Sequence, residues 1–126
     1  MTQSYDVIIL GAGACGLFTA INIAEGAPHK RILILEKGKE ALGKVRISGG
    51  GRCNLTNGEP NLREFVKNYP RGNRELLSAF SRFSNKDTMK WFETHQVALK
   101  EEADGRIFPV SNSSQTIIDC FLSLAK

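Results

Sequence analysis

Six residues, Gly11-Ala12-Gly13-Ala14-Cys15-Gly16, constrain the fold more than any other part of the chain. They make a complete G-x-G-x-x-G, and they sit between two patterns that give the motif its context. Before them, Tyr5 to Leu10 is a short β-branched apolar run of the kind expected of a strand buried on both faces of a parallel sheet. After them, Leu17, Ala20, Ile21 and Ala24 recur on one helical face between Ala14 and Glu25, and Gly26 with Pro28 supplies a stop. Arg31 to Leu35 is a second short apolar run, closing a βαβ unit whose crossover should be right-handed. In that setting Gly11 permits the tight turn, Gly13 lets the backbone approach a pyrophosphate, and Gly16 allows helix and strand to pack closely. Phosphates would meet the free amides and positive dipole end where the helix starts, at Ala14, Cys15 and Gly16.

Glu36 lies twenty residues after Gly16, at the end of the second strand. An acid there accepts hydrogen bonds from adenosine ribose hydroxyls, and its charge repels a 2′-phosphate, so FAD or NAD is expected over NADP. Motif, element order and acid agree, which a glycine turn and a surface glutamate meeting by coincidence would not produce.

Downstream, Ala41 to Asn57 is rich in glycine and small polar residues and reads as loop, with at most a short strand near Val45 to Ile47. Within it, Gly49, Gly50 and Gly51 followed by Arg52 can form a nest of N–H donors beside a cation, suited to a phosphate or an electron-rich flavin edge. A flexible surface loop is the other reading of the same residues. Helices are expected over Arg74 to Phe83 and Lys86 to His95, the second capped by Ser84 or Asn85, with Leu76, Leu77, Phe80, Phe83, Met89, Trp91 and Phe92 as core faces. Val97 to Glu101 and Arg106 to Val110 flank Ala103-Asp104-Gly105 as a β-hairpin, and a last helix carries Ile117, Ile118, Phe121 and Leu122. Only two parallel strands are found, and Lys126 follows no C-capping signal, so an N-terminal part of something longer is expected.

A chain of 126 residues suits one domain, and its 41% apolar and 24% charged composition is that of a globular protein rather than a disordered one. No apolar run approaches the roughly 20 residues that cross a bilayer, and the first residues lack the basic start of a signal peptide, so a cytoplasmic protein without membrane contact is expected. Cys15, Cys53 and Cys120 are odd in number and widely spaced, and neither His29 nor His95 has companions at ligand spacing, so no metal site is expected. Cys53 has no base or resolving thiol beside it, and Cys120 reads as a core contact. Between Arg63 and Lys90 seven basic residues alternate with Phe65, Tyr69, Phe80 and Phe83, but Glu64, Glu75 and Asp87 interrupt them. A solvated helical face is favoured there over a nucleic-acid interface.

The stretch Ser48-Gly49-Gly50-Gly51-Arg52-Cys53-Asn54-Leu55-Thr56-Asn57 resembles the Ser-Gly-Gly-Gly-Arg-Cys-Asn-x-Thr-Asn signature of bacterial NAD(P)/FAD-dependent oxidoreductases of the BaiN, YhiN and aminoacetone-oxidase type. Asp104-Gly105-Arg106-Ile107-Phe108-Pro109-Val110-Ser111 is similar to a second signature of that family. The resemblance implies a Rossmann-like α/β fold, a glutathione-reductase-like FAD domain that residues 1–126 begin, with an inserted substrate domain and a C-terminal completion beyond them. It implies that Gly11, Gly13, Gly16, Glu36 and Lys37 meet the ADP half of FAD, while Gly43, Lys44, Gly51, Arg52, Cys53 and Asn54 lie near pyrophosphate and flavin. The implied reaction is hydride transfer between NAD(P)H, flavin and an organic small molecule, either an enone-type substrate or a small amine, with no catalytic side chain assigned. A flavoprotein that binds or modifies nucleic acid, and a dinucleotide-binding module without catalysis, are the alternatives.

Overall fold

A computed structural model of the chain describes residues 2–126. The first unit is the expected one. Strand β1 (Val7–Leu10), helix α1 (Ala14–Gly26) and strand β2 (Ile32–Leu35) follow in order, with β1 and β2 parallel and in register from Val7↔Ile32 to Leu10↔Leu35. Asp6 ties the entrance of both strands: its carboxylate accepts from the Arg31 amide at 2.8 Å and from Lys30 Nζ at 3.1 Å. Leu17, Ala20 and Ile21 of α1 are buried as expected, whereas Ala24, one turn from the helix end, is exposed.

The strands are not buried on both faces. Ile34 packs on the core, but Ile8 and Leu10 are 57% and 81% exposed and Leu35 is exposed as well. The alternation in β1 follows the two-residue period of a strand that has a helix layer over one face alone.

Helix α2 (Gly43–Gly51) replaces the expected loop and the strand near Val45 to Ile47. Its start is set from outside: Leu42 takes a left-handed φ of 60°, its amide donates to the Ala12 carbonyl at 2.8 Å, and its own carbonyl receives the Arg46 amide. Val45 is then buried, and Ser114 Oγ donates to the Arg46 carbonyl, docking α2 on the last helix. Regular helix stops at Ser48, and Gly49, Gly50 and Gly51 turn through three successive positive φ values.

A second sheet has antiparallel order β3-β5-β4, from β3 (Thr56–Asn57), β4 (Leu99–Glu101) and β5 (Arg106–Pro109). The β4–β5 hairpin is the one expected, with Gly105 at φ 81° in its turn. Strand β3 was hidden because two residues carry no alternation. Between β3 and β4 lie α3 (Leu62–Phe65), a 3-10 turn over Val66–Asn68, α4 (Asn73–Arg82) and α5 (Asn85–Thr94). Asn61 caps the unforeseen α3 by accepting from the amides of Arg63 and Glu64. Ser84, not Asn85, caps α5, and Asp87 completes a capping box. Asn85 is buried instead, donating to the carbonyls of Asn57 and Glu59 and so holding β3 against α5.

Helix α6 (Ser114–Leu124) closes the core. Ile117, Ile118, Cys120 and Phe121 meet Leu17 and Ile21 of α1, Leu42 and Val45 at α2, and Trp91 and Phe92 of α5. Leu122 and Phe83, both read as core, are each about two-fifths exposed, although the Phe83 ring packs edge-on against Phe18 at 5.5 Å.

Helices α1 and α5 are joined where they end. His95 Nδ1 lies 2.7 Å from the Trp91 carbonyl and Nε2 lies 2.6 Å from Glu25 Oε1. Both partners are acceptors, so the ring satisfies both only as the doubly protonated imidazolium. Burial opposes that charge, but the Glu25 carboxylate and the Trp91 carbonyl outweigh it and hold the His95 pKa above its ordinary 6.5. A raised folded-state pKa stabilises fully below the unfolded value and is lost as pH climbs through the folded one. Thermal melts should therefore fall as pH rises from just below 6.5. His95→Gln should flatten that dependence, with a loss of about 1 kcal/mol or less at low pH because Glu25 is half in solvent.

Candidate functional site

The site is built where β1 and β2 end. The Gly11 amide donates to the Leu35 carbonyl at 2.7 Å, and Gly11 turns at φ 100°. A Cβ on Gly16 would collide with the Gly11 carbonyl oxygen, so the turn and the helix touch as only glycine allows. Gly13 is the N-cap of α1, in extended backbone, and no side chain caps the helix. The Leu17 amide makes the first helical bond, to the Gly13 carbonyl, and the amides of Ala14, Cys15 and Gly16 face out ahead of it. No atom lies within 4 Å of where a Gly13 Cβ would stand, so the backbone at the helix start is open to close approach.

Glu36 is turned toward this loop. One carboxylate oxygen accepts from the Ala12 amide at 2.7 Å and the other from the Gly38 amide at 2.7 Å. These bonds, Gly38 first and then Ala12, hold its pKa below the ordinary carboxylate value, so it carries its charge at neutral pH. Each oxygen keeps a lone pair for a further donor.

Two cavities flank the start of α1. One, of about 520 Å³, is bordered by Leu10, Gly11, Leu35, Glu36 and Lys37 at the sheet end. The other, of about 440 Å³, is lined by Ala14, Cys15, Lys44, Ser48, Cys53 and Asn54 and by the apolar rings of Phe18, Phe83, Phe92 and Phe121. Gly11 borders the first and Ala14 and Cys15 the second, so the uncapped helix start stands between them. An open anion cradle, a charged carboxylate at a sheet end and an apolar chamber beyond fit a dinucleotide carrying a flat ring system. Among the described residues no three His, Cys, Asp or Glu side chains gather as metal ligands, and no helix is long and apolar enough to cross a membrane.

Not every residue read from the sequence reaches these cavities. Lys44, Cys53 and Asn54 do; Gly43 begins α2 just beside them, and Gly51 and Arg52 border neither cavity. The Arg52 side of the glycine turn is engaged within the chain. The amides of Arg52 and Cys53 return to the Gly49 and Ser48 carbonyls, and the Arg52 guanidinium pairs with Glu102 at 2.5 Å while lying 3.9 Å over the Phe108 ring. Arg52 thus fastens the glycine turn to the antiparallel sheet, and its cation is used there. Gly49 serves packing, since a Cβ would press on the Asn54 amide at 2.7 Å. The Asn54 side-chain nitrogen, facing the carbonyls, donates to Thr56 at 2.9 Å and Ile107 at 3.2 Å. Cys53 is buried, and burial pushes its thiol pKa up, the opposite of an activated nucleophile. Ser48, Phe83 and Thr88 at the chamber were missed, because they come from three different elements and share no local pattern.

The family model for the HI0933-like protein Rossmann domain matches residues 5–126. The ribosomal RNA dihydrouridine synthase of Escherichia coli (strain K12) is 33% identical over 117 residues, covering 93% of this chain and 28% of that protein. The enzyme of the same name from Haemophilus influenzae is 31% identical over 117 residues, with the same coverage. The 3-dehydro-bile acid delta(4,6)-reductase of Clostridium scindens is 30% identical over 112 residues, covering 88% of this chain and 26% of that protein. The chain spans little more than a quarter of the length of these relatives.

The two central glycines should separate by experiment. Gly13→Ala meets open space in ordinary backbone and should melt near the parent temperature. Gly16→Ala drives a methyl into a backbone carbonyl and should cost at least about 2 kcal/mol in denaturant unfolding. Equal stabilities would show that Gly16 is not a packing position.

Proposed function

This chain belongs to the HI0933-like Rossmann-domain family, the BaiN- and YhiN-type flavoproteins, and we propose that it is the FAD-binding N-terminal portion of a flavin-dependent oxidoreductase. The observation that carries the reading is the start of α1, uncapped by any side chain and open at Gly13, standing between a cavity bordered by Glu36 and an apolar chamber. In this reading Glu36 holds the adenosine ribose and, being charged, disfavours a 2′-phosphate. The amides of Ala14, Cys15 and Gly16 hold the diphosphate. Phe18, Phe83, Phe92 and Phe121 keep water from the chamber, where Lys44 supplies a cation and Ser48, Thr88 and Asn54 supply polar edges. Bound flavin would supply hydride acceptance and donation, which no side chain of this chain can provide.

The relatives' names narrow the chemistry. Dihydrouridine is uridine with its ring double bond saturated, and that bond is conjugated to a ring carbonyl. A 3-dehydro bile acid with delta(4,6) unsaturation is a conjugated dienone. Both reductions place a hydride on the carbon remote from the carbonyl and a proton on its neighbour. We therefore propose reduction of a carbon–carbon double bond conjugated to a carbonyl, with NAD(P)H as the source of the reducing equivalents. A second reading, in which the double bond belongs to a pyrimidine within RNA, is favoured by the names of the two synthases.

Purified chain titrated with FAD should quench flavin fluorescence saturably, and competing NAD should not reverse the quenching. Glu36→Ala should weaken FAD by about 1–3 kcal/mol through lost charge-assisted hydrogen bonds, roughly 5- to 150-fold in Kd. Displacement of the flavin by NAD, or an affinity unchanged in Glu36→Ala, contradicts the assignment.

A further inference from the structure

Helix α1 ends beside an unfavourable charge. Glu25 stands in its last turn, where the helix dipole disfavours an acid, and no basic residue of that turn offsets it. The cation comes from α5: His95, the C-cap of that helix, brings Nε2 to 2.6 Å from Glu25 Oε1 while Nδ1 lies 2.7 Å from the Trp91 carbonyl. Two helix C-termini thus converge on one ring, and both favour its charged form.

Among the described residues this is the one hydrogen bond that joins α1 to α5. Phe18 of α1 meets Trp91 of α5 at 5.0 Å and Phe83, just before α5, at 5.5 Å, and Phe92 shares the core with Leu17 and Ile21. Apolar contacts have no preferred direction, so the rings can slide and the polar pair fixes how the helices sit. Their spacing matters because both helices line the apolar chamber, α1 with Ala14, Cys15 and Phe18 and α5 with Thr88 and Phe92. A flat ring system held there touches both, and a shift of α5 loosens its hold on one side.

Glu25 is the one charged side chain within 4 Å of the His95 ring among the described residues. After α1, Lys30 pairs with Asp6 at 3.1 Å, and His29 acts on the same carboxylate. On α6, the neighbour of Trp91 is Phe121, Asp119 is held by Gln115, and Lys126 borders a groove with Ala24. On β4, Lys100 acts on Glu102, and Glu101 lies against Gly58. Glu93, two residues from His95, lies on a different face of α5.

We infer that His95 and Glu25 form a proton-dependent clamp between α1 and α5 that regulates how tightly the chamber holds a flavin. The inference rests on the flavin reading above and adds its control. With the proton, the ring donates to both acceptors and the clamp is closed. Without it the ring has one N–H for two acceptors, and with the side chain 13% exposed, water is poorly placed to replace the lost donor. Burial opposes the proton, but Glu25 and the Trp91 carbonyl hold it to a pKa above 6.5. The clamp is therefore closed below that ordinary value and opens as pH rises through the folded one.

Two variants separate the clamp from its proton. In Glu25→Gln the new amide donates to Nε2 of the neutral ring while Nδ1–H serves the carbonyl, so the clamp closes at every pH. His95→Phe keeps a ring against Trp91, whose centroid lies 4.1 Å from that of His95, and loses both bonds. The Kd for FAD, read from flavin quenching by the full chain, should rise at least about fivefold in the parent between about pH 6 and 8.5. In Glu25→Gln it should stay within about twofold of the parent's low-pH value throughout, and in His95→Phe within about twofold of the parent's high-pH value. Emission from Trp91, the only tryptophan, reports the ring itself, because imidazolium quenches a stacked indole. Without FAD that emission should titrate in the parent over the same pH range and stay flat in His95→Phe. A parent Kd that is flat while the emission titrates, affinity lost at high pH in Glu25→Gln, or a pH dependence that survives in His95→Phe would overturn the inference. Glu25→Gln, at a half-exposed position, decides the matter even where His95→Phe does not fold. Saturable quenching with a flat Kd removes the clamp alone, whereas no quenching at any pH removes the flavin reading and the clamp with it.

Discussion

The Glu36 carboxylate, bridging the amides of Ala12 and Gly38, is the interaction on which the rest of the site depends. It lies at the tip of β2 and reaches across to the loop that leaves β1, so the two strand ends and the glycine turn become one unit. The parallel register beneath it fixes the level of that unit, since Leu10 pairs with Leu35 and Gly11 hydrogen-bonds to the same residue. With the turn held there, α1 must start above the sheet end, and its free amides gather where an anion can approach. The Ala12 peptide is held from both ends: its amide by Glu36 and its carbonyl by the Leu42 amide, which also sets the start of α2. One loop therefore positions the starts of both α1 and α2 beside the chamber.

The second sheet serves the first through packing rather than through strand pairing. Arg52, clasped by Glu102 and laid over Phe108, anchors the turn of Gly49, Gly50 and Gly51 to β5. That turn delivers Cys53 and Asn54 to the chamber, and Asn54 is pinned in turn by carbonyls of β3 and β5. Helix α6 then covers α1, α2 and β5 together, placing Ile117 and Phe121 at the chamber floor.

Much of this was legible in the residues. The βαβ unit, the hairpin and the last three long helices announce themselves by periodicity, and Glu36 announces itself by its distance from Gly16. What escaped has a common cause, which is that its structure is set from outside the segment. Helix α2 opens with glycine and closes with three more, a composition with poor helix propensity, and it forms because Ala12 and Ser114 hold its ends. Strand β3 is too short to show a period. Arg52 reads as a free cation until the fold brings Glu102 to it. Ala24, Phe83 and Leu122 fall on apolar faces by spacing, yet each lies where its helix runs past the core.

The central claim is that the start of α1 and Glu36 hold a dinucleotide between them. Amide chemical shifts followed during titration with ADP test it most directly, because ADP contains the diphosphate and the ribose and needs neither flavin nor turnover. The account predicts saturable shifts concentrated at Gly11 to Gly16 and at Glu36 to Gly38. Saturable shifts centred elsewhere, or no shift at those amides at millimolar ADP, would contradict it.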